Sequence, residues 1–284
     1  MTTGFKSSTK RDITNNNLVT KLTIPGNDLS LLIFYKMQEN LKLPIKFVYS
    51  QTLDNLRTNF ISWIYVLASK TELSNQTIFN TISLLDKLCE LLENETIQDP
   101  SNFQLFAITC FFLSYKAFEK KKITISFVRK YLLSNKWEDQ DIRRAEIYVL
   151  KILDFNIHSI NFYSFYQFYQ QIIIKHFEDE VLLNQINFLA NFIMQQSLTI
   201  IEFMFNLDAL EQIKIIMNTV FLLLQRLTGL DLSIYDGFFL EIANVSNIEI
   251  KEFEKYSEVL ITNLQITGNF LEQFSGVNIG NRVL

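Results

Sequence analysis

The chain contains few of the residues that interrupt helices or build catalytic and metal sites. Its 284 residues include only 7 Gly, 3 Pro, 2 Cys and 2 His. So few chain breakers exclude a turn-rich β fold and favour long helices. The sequence also shows no metal-ligand spacing, no glycine-rich phosphate loop and no nucleophile–base set. We therefore expect a protein that is not an enzyme and that binds no cofactor and no metal.

Long apolar runs are missing as well, although hydrophobic residues make up 48% of the chain. A membrane span needs roughly 18 uninterrupted apolar residues, and the most apolar stretch, 106–118, contains Lys116. The N-terminus lacks the apolar centre of a secretory signal. Cys89 and Cys110 lie among apolar residues, which predicts buried, reduced thiols. These features predict an intracellular protein, nuclear or cytoplasmic, without a membrane span.

An excess of positive charge is also absent. The chain has 26 Lys and Arg against 30 Asp and Glu, so its net charge is −4. Nucleic-acid binding needs a basic face, and this balance argues against one. The basic run Lys120–Lys122 lies between two helical segments, and it is either a solvated loop or a phosphate contact.

Apolar residues repeat at helical spacing through most of the chain. The pattern predicts a flexible tail (1–26), an N-terminal helix (27–51), two helical domains (52–157 and 158–266) and a C-terminal tail (267–284). Each domain has five segments, and the third is the most apolar, as expected for a central buried helix. The ten predicted segments are 53–70, 75–93, 101–118, 124–134, 138–153, 161–176, 179–204, 208–228, 232–243 and 247–264.

Four charged residues interrupt the apolar helices of the first domain: Arg57, Asp86, Lys116 and Glu146. A charge on an apolar helix face needs a partner, because burying it alone is costly. The four residues offer two pairs of opposite sign.

The segments around these charges resemble the cyclin family, of the A/B mitotic type, over about residues 30–264. LRTNFISW (56–63) resembles the family's MRAILVDW, and ISLLDKL (82–88) resembles YIDRFL. Residues 103–119 resemble LQLVGVTALLIASKYEE without a gap, and residues 145–157 resemble MEKLVLKVLKFDL. The second domain resembles the family's second cyclin box more loosely.

The resemblance implies an all-α fold of two tandem five-helix cyclin boxes with a short N-terminal helix. It also implies a regulatory subunit that binds and activates a cyclin-dependent protein kinase. The family's Lys on the third helix and Glu on the fifth contact the kinase's regulatory helix and hold it inward. The matching residues here are Lys116 and Glu146, with Leu150, Phe155 and Ile157 as apolar neighbours. The resemblance gives Arg57 and Asp86 a structural role as a charge pair.

Some positions depart from the family pattern. Ala117 stands where an aromatic residue commonly follows the Lys. The family's substrate-docking patch maps to Leu56, Asn59, Trp63, Val66 and Gln104. Asn59 replaces an apolar residue and Val66 replaces the Glu that would meet a substrate arginine, so the patch is degenerate.

Two alternatives remain open at this point. Lys116 and Glu146 form either a kinase contact or a bridge within the chain. The whole protein is either a kinase regulator or a cyclin-fold scaffold subunit of a larger assembly, and further subunits are compatible with both.

Overall fold

A computed structural model describes residues 50–92, 97, 99–229 and 250–263, and every regular element in these ranges is helical. The predicted N-terminal helix, both tails and the segment 232–243 lie outside the described residues, apart from the last two residues of 27–51. We number the helices in chain order. They are α1 (Gln51–Thr71), α2 (Asn75–Leu92), α3 (Pro100–Phe118), α4 (Ile125–Phe127), α5 (Asp139–Ile152), α6 (Phe162–His176), α7 (Glu180–Ser197), α8 (Ile201–Asn206), α9 (Ala209–Thr228) and α10 (Ile250–Asn263).

Polar caps explain where several of these helices begin. Asp99 accepts from the amides of Ser101 and Asn102, with Pro100 in the first helical position of α3. The first turn of α9 carries a reciprocal capping box between Asp208 and Glu211. Both caps satisfy amides that lack a partner inside the helix.

Helix α3 is the central helix of the first half. Every residue of this helix from Leu105 to Ser114 is buried, so it has no solvent-facing stripe over that length. The flanking helices α2 and α5 pack against it. In the second half α9 has the same central position and packs against α6, α7 and α10.

The two halves meet through α2 and α6. Phe79 of α2 stacks on Tyr163 at 4.9 Å between ring centroids and meets Phe162 edge-on at 5.1 Å. Asn75 donates to Asn191 of α7 at 2.9 Å. Such aromatic pairs add to the burial of their surfaces, and the junction is therefore a packed interface between the halves.

Two predicted segments differ from the structure. The segment 124–134 is one turn of α-helix followed by a π-helix, Val128–Leu132, in which the Leu133 amide donates to the Val128 carbonyl. Ser134 and Asn135 have positive φ and end it. The segment 179–204 is divided into α7 and α8. Its break lies at Leu198, whose carbonyl accepts a hydrogen bond from Arg57 in α1.

Candidate functional site

Lys116 and Glu146 lie together on the surface of the first domain. Lys116 is in the last turn of α3, where a cation is favoured by the helix dipole, and Glu146 is in the middle of α5. The Lys116 ammonium is paired with the Glu146 carboxylate and lies 4.3 Å from the centroid of the Phe112 ring. The side chains are 40% and 18% exposed. The bridge within the chain is thus present, and the pair still faces solvent.

Half-buried and exposed apolar side chains lie along α5 and in the turn that follows it. Leu150 and Ile157 are half-buried against the core, whereas Phe155 is 66% exposed. Ile147, next to Glu146, is 54% exposed. An exposed apolar group beside a charge pair is the composition expected of a protein-binding surface.

The backbone holds Phe155 in an unfavourable conformation. Asp154 and Phe155 have φ values of 51° and 56°, both in the left-handed region that bulky residues rarely adopt. The Phe155 amide donates to the Leu150 carbonyl at 2.7 Å, which ends α5. Strain of this kind costs about 1–3 kcal/mol and is concentrated at functional sites. Here it accompanies a phenyl ring that projects into solvent.

A buried amide, Asn80 of α2, fixes the chain between the two halves. Its Nδ2 donates to Ser114 Oγ at 2.9 Å and to the Ile157 carbonyl at 3.0 Å. Its Oδ1 accepts from the Ser159 amide at 3.0 Å. Because Ser114 lies two residues before Lys116, one side chain positions both Ile157 and the end of α3.

Glu119, the residue that follows α3, makes a second set of contacts at the end of this helix. One oxygen of its carboxylate accepts from the Ser74 amide at 2.9 Å, the Ser74 hydroxyl at 2.8 Å and the Thr77 hydroxyl at 2.5 Å. Burial acts to raise the Glu119 pKa, but the hydrogen bonds from Thr77 and Ser74 outweigh it and hold the pKa below its usual value. The carboxylate therefore connects the end of α3 to the start of α2.

Arg57 and Asp86 lie away from this surface, in the interior. Arg57 is completely buried and donates to both Asp86 oxygens, from Nε at 2.7 Å and from Nη2 at 2.9 Å. Its Nη1 donates to the Leu198 carbonyl at 2.6 Å, and its guanidinium lies 5.4 Å from the Phe205 ring centroid. Arg57 thus joins α1 and α2 and connects both to the second half.

The residues of the predicted substrate-docking patch lie on α1 and near the start of α3. Leu56 and Trp63 are half-buried, and Trp63 stacks on Phe60 at 5.5 Å. Asn59, Val66 and Gln104 are exposed. Position 66 therefore presents a valine to solvent at the point where the family pattern has a carboxylate.

The described residues show neither a metal-ligand group nor a membrane-spanning helix. Within these ranges no group of three His, Cys, Asp or Glu residues is arranged to hold a metal ion. None of the helices described is long and apolar enough to cross a membrane.

Sequence reasoning missed Asn80 and the backbone conformation at Phe155. Asn80 lies in the segment NTISLLDKL, and a single polar residue early in an amphipathic helix gives no signal of its partners. Ile147 is also exposed, and its apolar side chain alone gave no sign of this.

Comparisons with known proteins agree on one family. The family "Cyclin, N-terminal domain" matches residues 31–158. S-phase entry cyclin-6 of Saccharomyces cerevisiae is 29% identical over 103 residues, which are 36% of this chain and 26% of that protein. G2/mitotic-specific cyclin-4 of the same yeast is 29% identical over 133 residues, 44% of this chain and 27% of its own length. The matched part thus spans about a quarter of these relatives.

Among solved structures, a viral cyclin from herpesvirus saimiri has the same fold. It matches with a TM-score of 0.55 and 14% sequence identity, over 88% of this chain and 98% of the viral chain. The all-α fold predicted from the sequence is confirmed, and the comparisons together support the cyclin family. The mitotic subtype and the exact domain boundaries stay predictions.

Proposed function

We propose that this chain is a regulatory subunit that binds a cyclin-dependent protein kinase and activates it. The observation that carries the proposal is the surface formed by Lys116, Glu146 and the strained, exposed Phe155. The general role agrees with the yeast and viral cyclins that the chain resembles. Activation, the specific kinase and the residues of the contact are parts of the proposal.

The geometry suits a partner that presents both charge and an apolar surface. Lys116 has three N–H donors and Glu146 has two acceptor oxygens, so each retains hydrogen-bonding capacity beyond their mutual bond. Phe155 and Ile147 supply exposed apolar area on α5 and the turn that follows it. A charge pair inside an apolar surface fixes the orientation of a partner more than it adds affinity. A kinase helix docked here would be held in one register, which is the requirement for completing the kinase's own Lys–Glu pair.

Several wider features belong to the same proposal. The first cyclin box corresponds to residues 52–157 and the second to residues 158–266, and the chain is a cyclin of the A/B mitotic type. It acts inside the cell, in the nucleus or the cytoplasm, without catalytic activity of its own.

Charge reversal at Lys116 tests the kinase contact. We expect Lys116→Glu to abolish co-purification with the kinase, because two carboxylates would then meet at positions 116 and 146. The matched control is Lys136→Glu, since Lys136 is an exposed lysine that contacts Ser101 at the opposite end of α3. Ser101 and Lys116 are separated by 15 residues of helix, roughly 22 Å. Kinase binding by Lys116→Glu at the wild-type level would refute the assignment of this surface.

A scaffold role without kinase activation is the second candidate. Ala117 and Val66 favour it, since each removes a side chain that the family pattern uses in kinase or substrate contact. Affinity purification at native expression, followed by mass spectrometry, separates the two. Stable co-purification with non-kinase subunits and no stimulation of kinase activity would support the scaffold.

A further inference from the structure

A second surface of the first domain has no part in the contacts described above. A cleft lies between the end of α1, the end of α3 and residues 122–127. Its walls are mainly apolar and include Leu67, Phe111, Tyr115, Ile123 and Phe127. The cleft holds about 190 Å³. An apolar cavity of about 150 Å³ is enough to bind benzene, so one large apolar side chain fits here.

An exposed aromatic pair extends the cleft along the π-helix. Phe127 is 39% exposed and Tyr131 is 61% exposed, and their ring centroids are 4.9 Å apart. Both rings are presented by a segment in which the regular α-helix gives way to a π-helix, a change often found at functional sites. Two neighbouring exposed rings beside an open apolar cleft indicate an interaction surface.

The charges around this surface are mainly positive. Lys122 lines the cleft, Lys130 holds its ammonium 4.9 Å from the Tyr131 ring centroid, and Lys120 and Lys121 are exposed nearby. Among the described lining residues none is acidic. Two carboxylates lie nearby. Glu72 is exposed and stands between two lining residues in the sequence, and Glu119 keeps its charge while it accepts hydrogen bonds from Ser74 and Thr77. The four lysines outnumber these two carboxylates, so the surface is complementary to negative charge.

We propose that this cleft and the Phe127–Tyr131 pair bind an acidic peptide segment of a partner protein. One large apolar side chain of the peptide enters the cleft, and its carboxylates lie next to Lys122 and Lys130. The family's substrate-docking patch has a carboxylate at the position of Val66 and so favours a positively charged peptide, whereas this cleft favours a negatively charged one. An interpretation of this binding as substrate recruitment rests on the proposed kinase role, whereas the peptide binding itself does not.

Selection of random peptides displayed on phage, with the purified full chain as bait, tests the proposal. We expect the enriched peptides to share a Leu, Ile, Phe or Trp next to Asp or Glu. A synthetic copy of the strongest peptide should bind Lys122→Glu and Phe127→Ser at least about tenfold more weakly than the wild type, a loss of about 1.4 kcal/mol. Lys136→Glu and Phe155→Ser are controls that should keep the affinity. Far-UV circular dichroism checks that each variant is folded.

Several results would overturn the proposal. They are enrichment of Arg- or Lys-rich peptides, no enrichment, or binding that neither variant weakens. Self-association of the chain that is lost in Phe127→Ser would assign the cleft to a second copy instead. The kinase proposal is tested separately through Lys116. A failed peptide selection with intact kinase binding removes only this inference, and peptide binding without kinase binding removes only the proposed function.

Discussion

Removing Arg57 should destabilise the protein more than removing any exposed charge. In Arg57→Met, Asp86 keeps its charge in the interior without the guanidinium that accounts for two of its hydrogen bonds. Breaking a buried pair from one side costs about 3–5 kcal/mol. The Leu198 carbonyl also loses its donor, which costs a further 1–3 kcal/mol, approximately. We therefore expect a loss of about 4–8 kcal/mol in the free energy of unfolding.

A double variant separates the two contributions. In Arg57→Met/Asp86→Leu neither charge of the pair remains, so the loss should fall to about 1–3 kcal/mol, mainly from the unpaired Leu198 carbonyl. Urea unfolding followed by circular dichroism gives the free energies. Arg129→Met is the control, because the Arg129–Asp139 pair is about 40% exposed on both sides and contributes about 0–1 kcal/mol. A double variant as unstable as Arg57→Met, or an Arg57→Met loss no larger than that of the control, would refute the reasoning.

Three further predictions concern the residues around the kinase surface. Phe155→Asn should leave the isolated chain as stable as the wild type or up to about 1 kcal/mol more stable, because Asn tolerates the left-handed conformation. The same variant should weaken kinase binding. A marked loss of stability in urea would contradict the strain argument. Asn80→Ala should cost about 2–4 kcal/mol by urea unfolding, since it removes three hydrogen bonds, one buried and two partly buried, and an effect below about 1 kcal/mol would contradict the network. The folded-state pKa of Glu119 is lowered, so its carboxylate stabilises the fold above the unfolded pKa, and that contribution is lost as the pH falls through the folded pKa. Glu119→Gln should therefore lose less stability than the wild type between about pH 5 and pH 3, and equal losses would exclude the role of this carboxylate.

The sequence was sufficient for the helices because their signals are local. The apolar pattern predicts the third segment over 101–118, and in the structure α3 is Pro100–Phe118. The four charges on apolar faces likewise indicated where partners were needed, and each lies beside a residue of opposite sign in the structure. The helix signals depend on neighbours three or four residues apart, whereas the members of each charge pair are 29 or 30 residues apart.

Features that depend on distant partners were not predictable in this way. The break at Leu198 involves Arg57, 141 residues away, and Asn80 reaches residues 77 and 79 positions along the chain. The left-handed backbone at Phe155 breaks a local rule that disfavours it for bulky residues. The spacing of apolar residues gives no information about such contacts, because they form only when distant parts of the chain pack together.

The central claim is that Lys116 and its neighbours activate a kinase, and a phosphorylation assay tests it most directly. Each cyclin-dependent kinase of the source organism is purified and assayed alone, with the wild-type chain, with Lys116→Glu and with Lys136→Glu. We predict that at least one kinase is stimulated by the wild type and by Lys136→Glu but not by Lys116→Glu. Stimulation of no kinase, or equal stimulation by Lys116→Glu, would contradict the account.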